Sequence, residues 1–116
     1  PSRGLGDVYK RQAKDYVHRN YRSVDLGLDD TCKELGVSNS YFSSLFKKET
    51  GSSFVEYLTD YRMDKAARML VETDDKSYVI AQNVGYADPN YFSYVFKRKY
   101  GVSPSRYRTE YEKNKV

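Results

Sequence analysis

Catalytic chemistry has little to work with in this chain. With one histidine, His18, one cysteine, Cys32, and no glycine-rich phosphate loop, the usual catalytic sets are almost unfillable, the carboxylates and hydroxyls are scattered, and no set of ligands stands at zinc spacing. The chain is therefore expected to be no enzyme, and to hold no metal and no cofactor. What does recur at fixed spacing is a set of hydrogen-bonding and ionic side chains: Ser40, Ser43, Ser44 and Lys47, then Asn90, Ser93, Tyr94 and Lys97. Such groups recognise polar surfaces without cleaving anything. Beside the second set, Lys97, Arg98, Lys99, Arg106 and Arg108 fall in a stretch with no acid among them, while Glu72, Asp74 and Asp75 form an acidic knot. A locally basic face of this kind suits a phosphate backbone.

The elements that must hold these side chains repeat at a spacing of about fifty residues. Ser40-Tyr-Phe-Ser-Ser-Leu-Phe-Lys-Lys48 aligns with Asn90-Tyr-Phe-Ser-Tyr-Val-Phe-Lys-Arg98, and Gly51, Ser53 and Tyr57 align with Gly101, Ser103 and Tyr107. Upstream, Cys32-Lys-Glu-Leu-Gly36 faces Ala81-Gln-Asn-Val-Gly85, displaced by one residue because the second copy has a longer turn. A small side chain, Cys32 or Ala81, lets two helices approach closely. Gly36 or Gly85 then allows the positive φ that a short interhelical turn demands. Each copy thus reads as a helix-turn-helix.

The second helix of each copy starts at a cap. Ser38 caps a helix from about Asn39 to Lys48, and Asp88 caps one that has Pro89 at its first position, where a missing amide costs nothing. Phe42, Leu45 and Phe46, like Phe92, Val95 and Phe96, lie at i, i+3, i+4 and predict a buried stripe. Between the copies, the capping box Ser53-Phe-Val-Glu56 opens a helix to about Val71, with apolar positions Phe54, Tyr57, Leu58, Tyr61, Ala66, Met69 and Leu70 interrupted by Lys65. At about 1.5 Å per residue it spans roughly 27 Å. Flanking helices are expected over about Ala13–Asn20 and, capped by Ser103, over Pro104–Lys113. The fold class is all-α: about seven helices and no strand, as two helix-turn-helix subdomains (13–52 and 72–116) joined by a long linker helix (53–71).

Of the 116 residues, 20 are Lys or Arg and 16 are Asp or Glu. No apolar run approaches the roughly 18 residues needed to cross a bilayer, so no membrane span is expected. Residues Ser2–Gln12 match, codon by codon, a translation of a transposase adapter used in sequencing libraries, whose end GATGTGTATAAGAGACAG reads Asp-Val-Tyr-Lys-Arg-Gln. Residues 1–12 are accordingly read as a non-native segment and set aside from the fold, with the natural protein expected to continue upstream. Setting them aside removes three basic groups and one acid and lowers the net charge from +4 to +2. The distribution of charge therefore says more than its total.

The stretch Val79-Ile-Ala-Gln-Asn-Val-Gly-Tyr-Ala-Asp-Pro-Asn-Tyr-Phe-Ser-Tyr-Val-Phe-Lys97 with Gly101-Val-Ser-Pro-Ser-Arg-Tyr-Arg108 strongly resembles the signature of the AraC/XylS transcription regulators. So do the first copy, Ser40 to Gly51, and the run Arg62-Met-Asp-Lys-Ala-Ala-Arg-Met-Leu-Val71. The resemblance covers about Ala13 to Arg108. It implies sequence-specific binding of double-stranded promoter DNA in bacterial cytoplasm, with RNA polymerase as a further partner. Recognition helices would enter adjacent major grooves, about 34 Å apart on one side of B-DNA.

Carried over by position, the base-contacting residues are Ser40, Ser43 and Ser44 in the first copy and Asn90, Tyr91, Ser93 and Tyr94 in the second. Phosphate contacts fall to Ser38, Lys47, Lys97, Arg98, Arg106 and Arg108. Asn90 can bond adenine in a bidentate way, serine serves donor or acceptor edges, and tyrosine touches a thymine methyl or a phosphate. The short serines predict weaker, more shape-dependent reading by the first copy. Thr31 stands where the family usually has an aliphatic residue, Cys32 where it has Ala, and Gly27 where a Ser or Thr cap is common. Cys32 is read as a packed small residue, His18 as a surface residue, and most of the 13 tyrosines as the edges of amphipathic core.

The family often joins this module to an effector-binding domain or a phosphorylatable receiver. The sequence from Asp15 to Leu28 and from Ser40 to Phe54 looks more like the receiver-linked branch, that of two-component response regulators, found in Gram-positive bacteria, and the resemblance implies a missing N-terminal receiver or effector domain. The rival reading is a protein-interaction module that keeps the fold but not DNA binding, since the charge is only mildly basic and the first copy lacks long polar reach.

Overall fold

The computed structural model describes residues 2–115. Its helices are α1 (Ser2–Asn20), α2 (Leu28–Leu35), α3 (Asn39–Thr50), α4 (Phe54–Glu72), α5 (Ser77–Asn83), α6 (Pro89–Tyr100) and α7 (Pro104–Lys113). No strand occurs among the described residues, so the architecture is all-α as expected. The chain divides within α4 into two compact units, Pro1–Thr59 and Asp60–Val116. α4 supplies Phe54 and Leu58 to the buried residues of the first unit and Met63, Ala66, Ala67 and Leu70 to those of the second.

In the first unit, α1 lies against α2 and α3. It begins at Ser2, not near Ala13, so the segment set aside above continues the helix. Its composition explains this: Asp7 meets Lys10 at 3.4 Å and Arg11 at 3.2 Å, the i, i+3 and i, i+4 pairings that support a helix whatever the origin of the sequence. Ala13 and Val17, one turn apart, are fully buried. Tyr16 Oη donates to Asp30 Oδ2 at 2.8 Å, and that bond, helped by burial, pushes the phenol up to about 12. α2 opens on Gly27 without a side-chain cap, its first-turn Asp29 and Asp30 suiting the positive end of the helix.

The turn out of α2 is made at Gly36, whose φ of 73° lies in the left-handed region. The Gly36 and Val37 amides there take up the carbonyls of Lys33 and Cys32. Ser38 Oγ then accepts from the Tyr41 amide at 3.2 Å and starts α3. Phe42, Phe46 and Phe54 form a triangle with 5.5 Å between each pair of ring centroids, and Tyr57 meets Phe46 edge-on. Burying one such ring contributes about 1.5–3 kcal/mol, so this cluster dominates the first core. Thr31 is fully buried with it, and its hydroxyl finds no hydrogen-bond partner.

The second unit repeats the plan. Gly85, at φ 96°, makes the turn after α5. Asp88 Oδ1 accepts from the Asn90 amide at 2.9 Å, and Pro89 opens α6. Phe92 and Phe96 are fully buried, and Tyr107 of α7 meets Phe96 edge-on at 5.4 Å, as Tyr57 meets Phe46. Leu45 and Val95 were expected in the buried stripes but are only half-buried: they flank the phenylalanines rather than sharing their direction.

Two polar clusters tie α4 to the helices after it. Asp64 Oδ1 accepts from Lys99 Nζ at 2.7 Å and from Tyr100 Oη at 2.6 Å, while Lys99 also reaches Asp60 at 3.5 Å. Burial works to raise the Asp64 carboxyl, but the two donors outweigh it and hold it below its usual range. Arg108 of α7 donates through Nε to the Leu70 carbonyl at 2.8 Å and through Nη2 to the Thr73 carbonyl at 3.1 Å. A guanidinium there satisfies carbonyls that the end of α4 leaves open.

Candidate nucleic-acid interface

A recognition face must be solvent-exposed, carry donors and acceptors, and be held rigidly from behind. α3 and α6 each meet these conditions through the same device, a capped N terminus and a pair of phenylalanines four residues apart that turn one face inward. On α3 the opposite face exposes Ser40, Ser44, Lys47 and the additional Lys48. On α6 it exposes Asn90, Tyr91, Tyr94, Lys97 and Arg98. Ser43 and Ser93 are half-buried, because each follows directly on a buried phenylalanine and shares part of its cover.

The basic groups sort into two kinds. Lys47 and Lys97 are exposed, one turn or less from the end of the helix that carries them. Arg98 is exposed as well, with Nη1 donating to Tyr94 Oη at 3.1 Å and the guanidinium 5.8 Å from the Tyr94 ring centroid. Arg106 is exposed but pairs with Glu110 at 3.0 Å, so part of its charge is met within α7. Arg108 does not belong with them. Two backbone carbonyls engage its guanidinium, and the residue is half-buried. Ser38 is exposed, but its hydroxyl oxygen is taken up as the α3 cap, leaving its proton as the group that can point elsewhere.

The tyrosines also divide. Tyr21, Tyr57, Tyr61, Tyr86, Tyr100 and Tyr107 are buried or half-buried, as core edges should be. Tyr91 and Tyr94 instead lie on the outer face of α6 with their rings stacked, 6.3 Å between centroids and 26° between planes. Tyr86, in the turn before α6, lies 6.0 Å from Tyr91 and 5.8 Å from Phe92, so this aromatic row runs from solvent into the core.

Beneath the row is Arg62, which sequence reasoning passed over. It is buried, its guanidinium 5.5 Å from the Tyr86 ring; burial pushes its pKa down and the tyrosine restores part of it. The signal was available: Arg62 stands between Leu58 and Ala66 at i, i+4 spacing, a charge inside an apolar stripe. Among the described residues no group of His, Cys, Asp and Glu could hold a metal ion, and no helix is long and apolar enough to cross a membrane.

A family model described as a helix-turn-helix domain matches residues 31–110 of this chain. The lactose operon transcription activator of Staphylococcus xylosus is 35% identical over 79 residues, which are 68% of this chain and 28% of that protein. The chain spans less than a third of the length of the first curated relatives it matches. Among solved structures, the C-terminal domain of the response regulator AraT from Geobacillus stearothermophilus superposes with a TM-score of 0.86 at 40% identity, covering 88% of this chain and 84% of that one. The C-terminal domain of the two-component response regulator yesN from Fusobacterium nucleatum gives 0.84 at 36% identity, covering 85% and 96%. With the paired, capped helices and these relatives in view, the chain belongs to the AraC/XylS-type helix-turn-helix family.

Proposed function

We propose that this chain binds promoter DNA in a sequence-specific way and so regulates transcription in the bacterial cytoplasm, with no catalytic step of its own. The observation that carries the reading is α6: a capped helix whose inner face is locked by Phe92 and Phe96 while Asn90, Tyr91, Tyr94 and Lys97 all stand exposed on the outside. Asn90 supplies the adenine contact and Lys97 and Arg98 the phosphate contacts. α3 adds Ser40 and Ser44, with Ser43 at the margin, and Lys47 as anchor. We take 13–52 and 72–116 as the reading modules and 53–71 as their connector. RNA polymerase and an upstream receiver or effector domain are further partners, supported by relatives that are named as a transcription activator and as C-terminal domains of response regulators.

Selection of bound sequences from a random duplex library tests this directly. An enriched motif is expected, with a footprint over two consecutive major-groove segments. The logarithm of the binding constant should fall linearly with the logarithm of salt concentration, at about 0.9 per phosphate contacted. No enriched motif and no salt slope would replace the reading with the protein-interaction module.

A further inference from the structure

From the side chains of α6 we infer which base its tyrosines select: Tyr91 and Tyr94 together read thymine, through its C5-methyl group and its O4. The inference rests on the DNA-binding reading above and sharpens it to a single base. Each of the two tyrosines is 56% exposed, and their rings stack on one another with Tyr86 behind Tyr91. Stacked rings left in solvent form an apolar surface held in one orientation, which recovers free energy only by covering something apolar.

The polar end of the row is oriented too. Arg98 Nη1 donates to Tyr94 Oη, so a lone pair of that oxygen is engaged and the hydroxyl's own proton is directed elsewhere as a donor. An apolar face beside an outward donor has one match among the major-groove edges. Thymine presents a methyl group next to the acceptor O4; guanine presents acceptors without a methyl; adenine presents the N7 acceptor beside an amino donor, and cytosine an amino donor, neither with a methyl. The first unit lacks this arrangement. Ser44 stands where Tyr94 does, and the Tyr41 ring meets the edge of Tyr9 instead of a neighbour on its own helix.

The test uses the 116-residue chain and the duplex it most enriches from a random library. Each thymine is replaced in turn by deoxyuridine, which removes the methyl group and leaves every hydrogen-bonding atom in place. At one or two positions of a single half-site the Kd is expected to rise about 3- to 5-fold, the worth of one buried methyl group. The double variant Tyr91→Ser, Tyr94→Ser should bind thymine and uracil duplexes alike, whereas Tyr94→Phe should still distinguish them. Equal affinity for both duplexes in the unaltered chain, or discrimination that survives the double variant, would overturn the inference while motif selection and the salt slope stood. Failure to bind any duplex would overturn both it and the function beneath it.

Discussion

Thr31 and Ile80 occupy the same place in the two units, each just before the small residue, Cys32 or Ala81, that lets the helices approach. Both are fully buried, yet Ile80 fills its site with hydrocarbon while Thr31 brings a hydroxyl that nothing satisfies. The outer faces differ in the same sense. α6 has an asparagine, two stacked tyrosines and an arginine bonded to one of them; α3 has serines, two lysines and a single tyrosine, Tyr41. The phenylalanine pairs are the same in both, and each of these helices starts at a side-chain cap, Ser38 in one and Asp88 in the other. Geometry shared by both units thus comes from a core that tolerates little change, while the more varied exposed side chains lie on the second, whose support is also the better satisfied.

The sharpest way to break this comparison is through the shared core. Phe46→Ala and Phe96→Ala should each cost about 3–5 kcal/mol in urea or thermal unfolding, and a loss confined to one of them would mean that the units are not built alike. On DNA the units should part company. Asn90→Ala is expected to cost about 1–3 kcal/mol on the best duplex and to relax one base position, while Ser40→Ala costs less and relaxes its position less; equal losses on specific and random duplex would remove Asn90 from the reading set. Arg108→Ala and Lys97→Ala separate structure from binding. The first should lower stability by about 1.5–3 kcal/mol and leave the salt slope unaltered, and the second should leave stability alone and lower the slope by about one.

Smaller still is Thr31→Val. It replaces an unsatisfied buried hydroxyl by a methyl group of the same shape and should stabilise the first unit by about 1 kcal/mol; a lower melting temperature would mean that the hydroxyl has a use. The smallest effect belongs to Asp64. Its carboxyl is held below its usual range in the folded chain, so its contribution is present at neutral pH and fades as pH falls below about 4, where the unfolded chain takes up the proton first. Asp64→Asn should flatten that part of the stability profile by under about 1 kcal/mol, since the pair with Lys99 is largely open to solvent.

Much of the fold is legible in the residues and their spacing. The caps at Ser38, Asp88 and Ser103, the capping box at Ser53 and the paired phenylalanine stripes all form where that spacing places them. Other features escape such a reading for identifiable reasons. The end of a helix depends on whether the neighbouring sequence can continue it, and residues 2–12 can, which is why α1 begins at Ser2. Ser43, Ser93, Leu45 and Val95 all sit at the margin of a buried stripe, where a helical wheel cannot say how far the covering element extends.

Capping, turn geometry and hydrophobic period act within about four residues, so the amino-acid order alone determined the helices, most of their starts and the twofold repetition. Which arginine was taken up by backbone carbonyls, which tyrosines reached solvent as a stacked pair and which hydroxyl was stranded in the core were decided only on folding. Arg108 finds its carbonyls 38 and 35 residues away, and Tyr86 meets Arg62 across α4 and α5. The burial of a polar group is a property of whatever comes to lie over it, and local sequence carries no record of that.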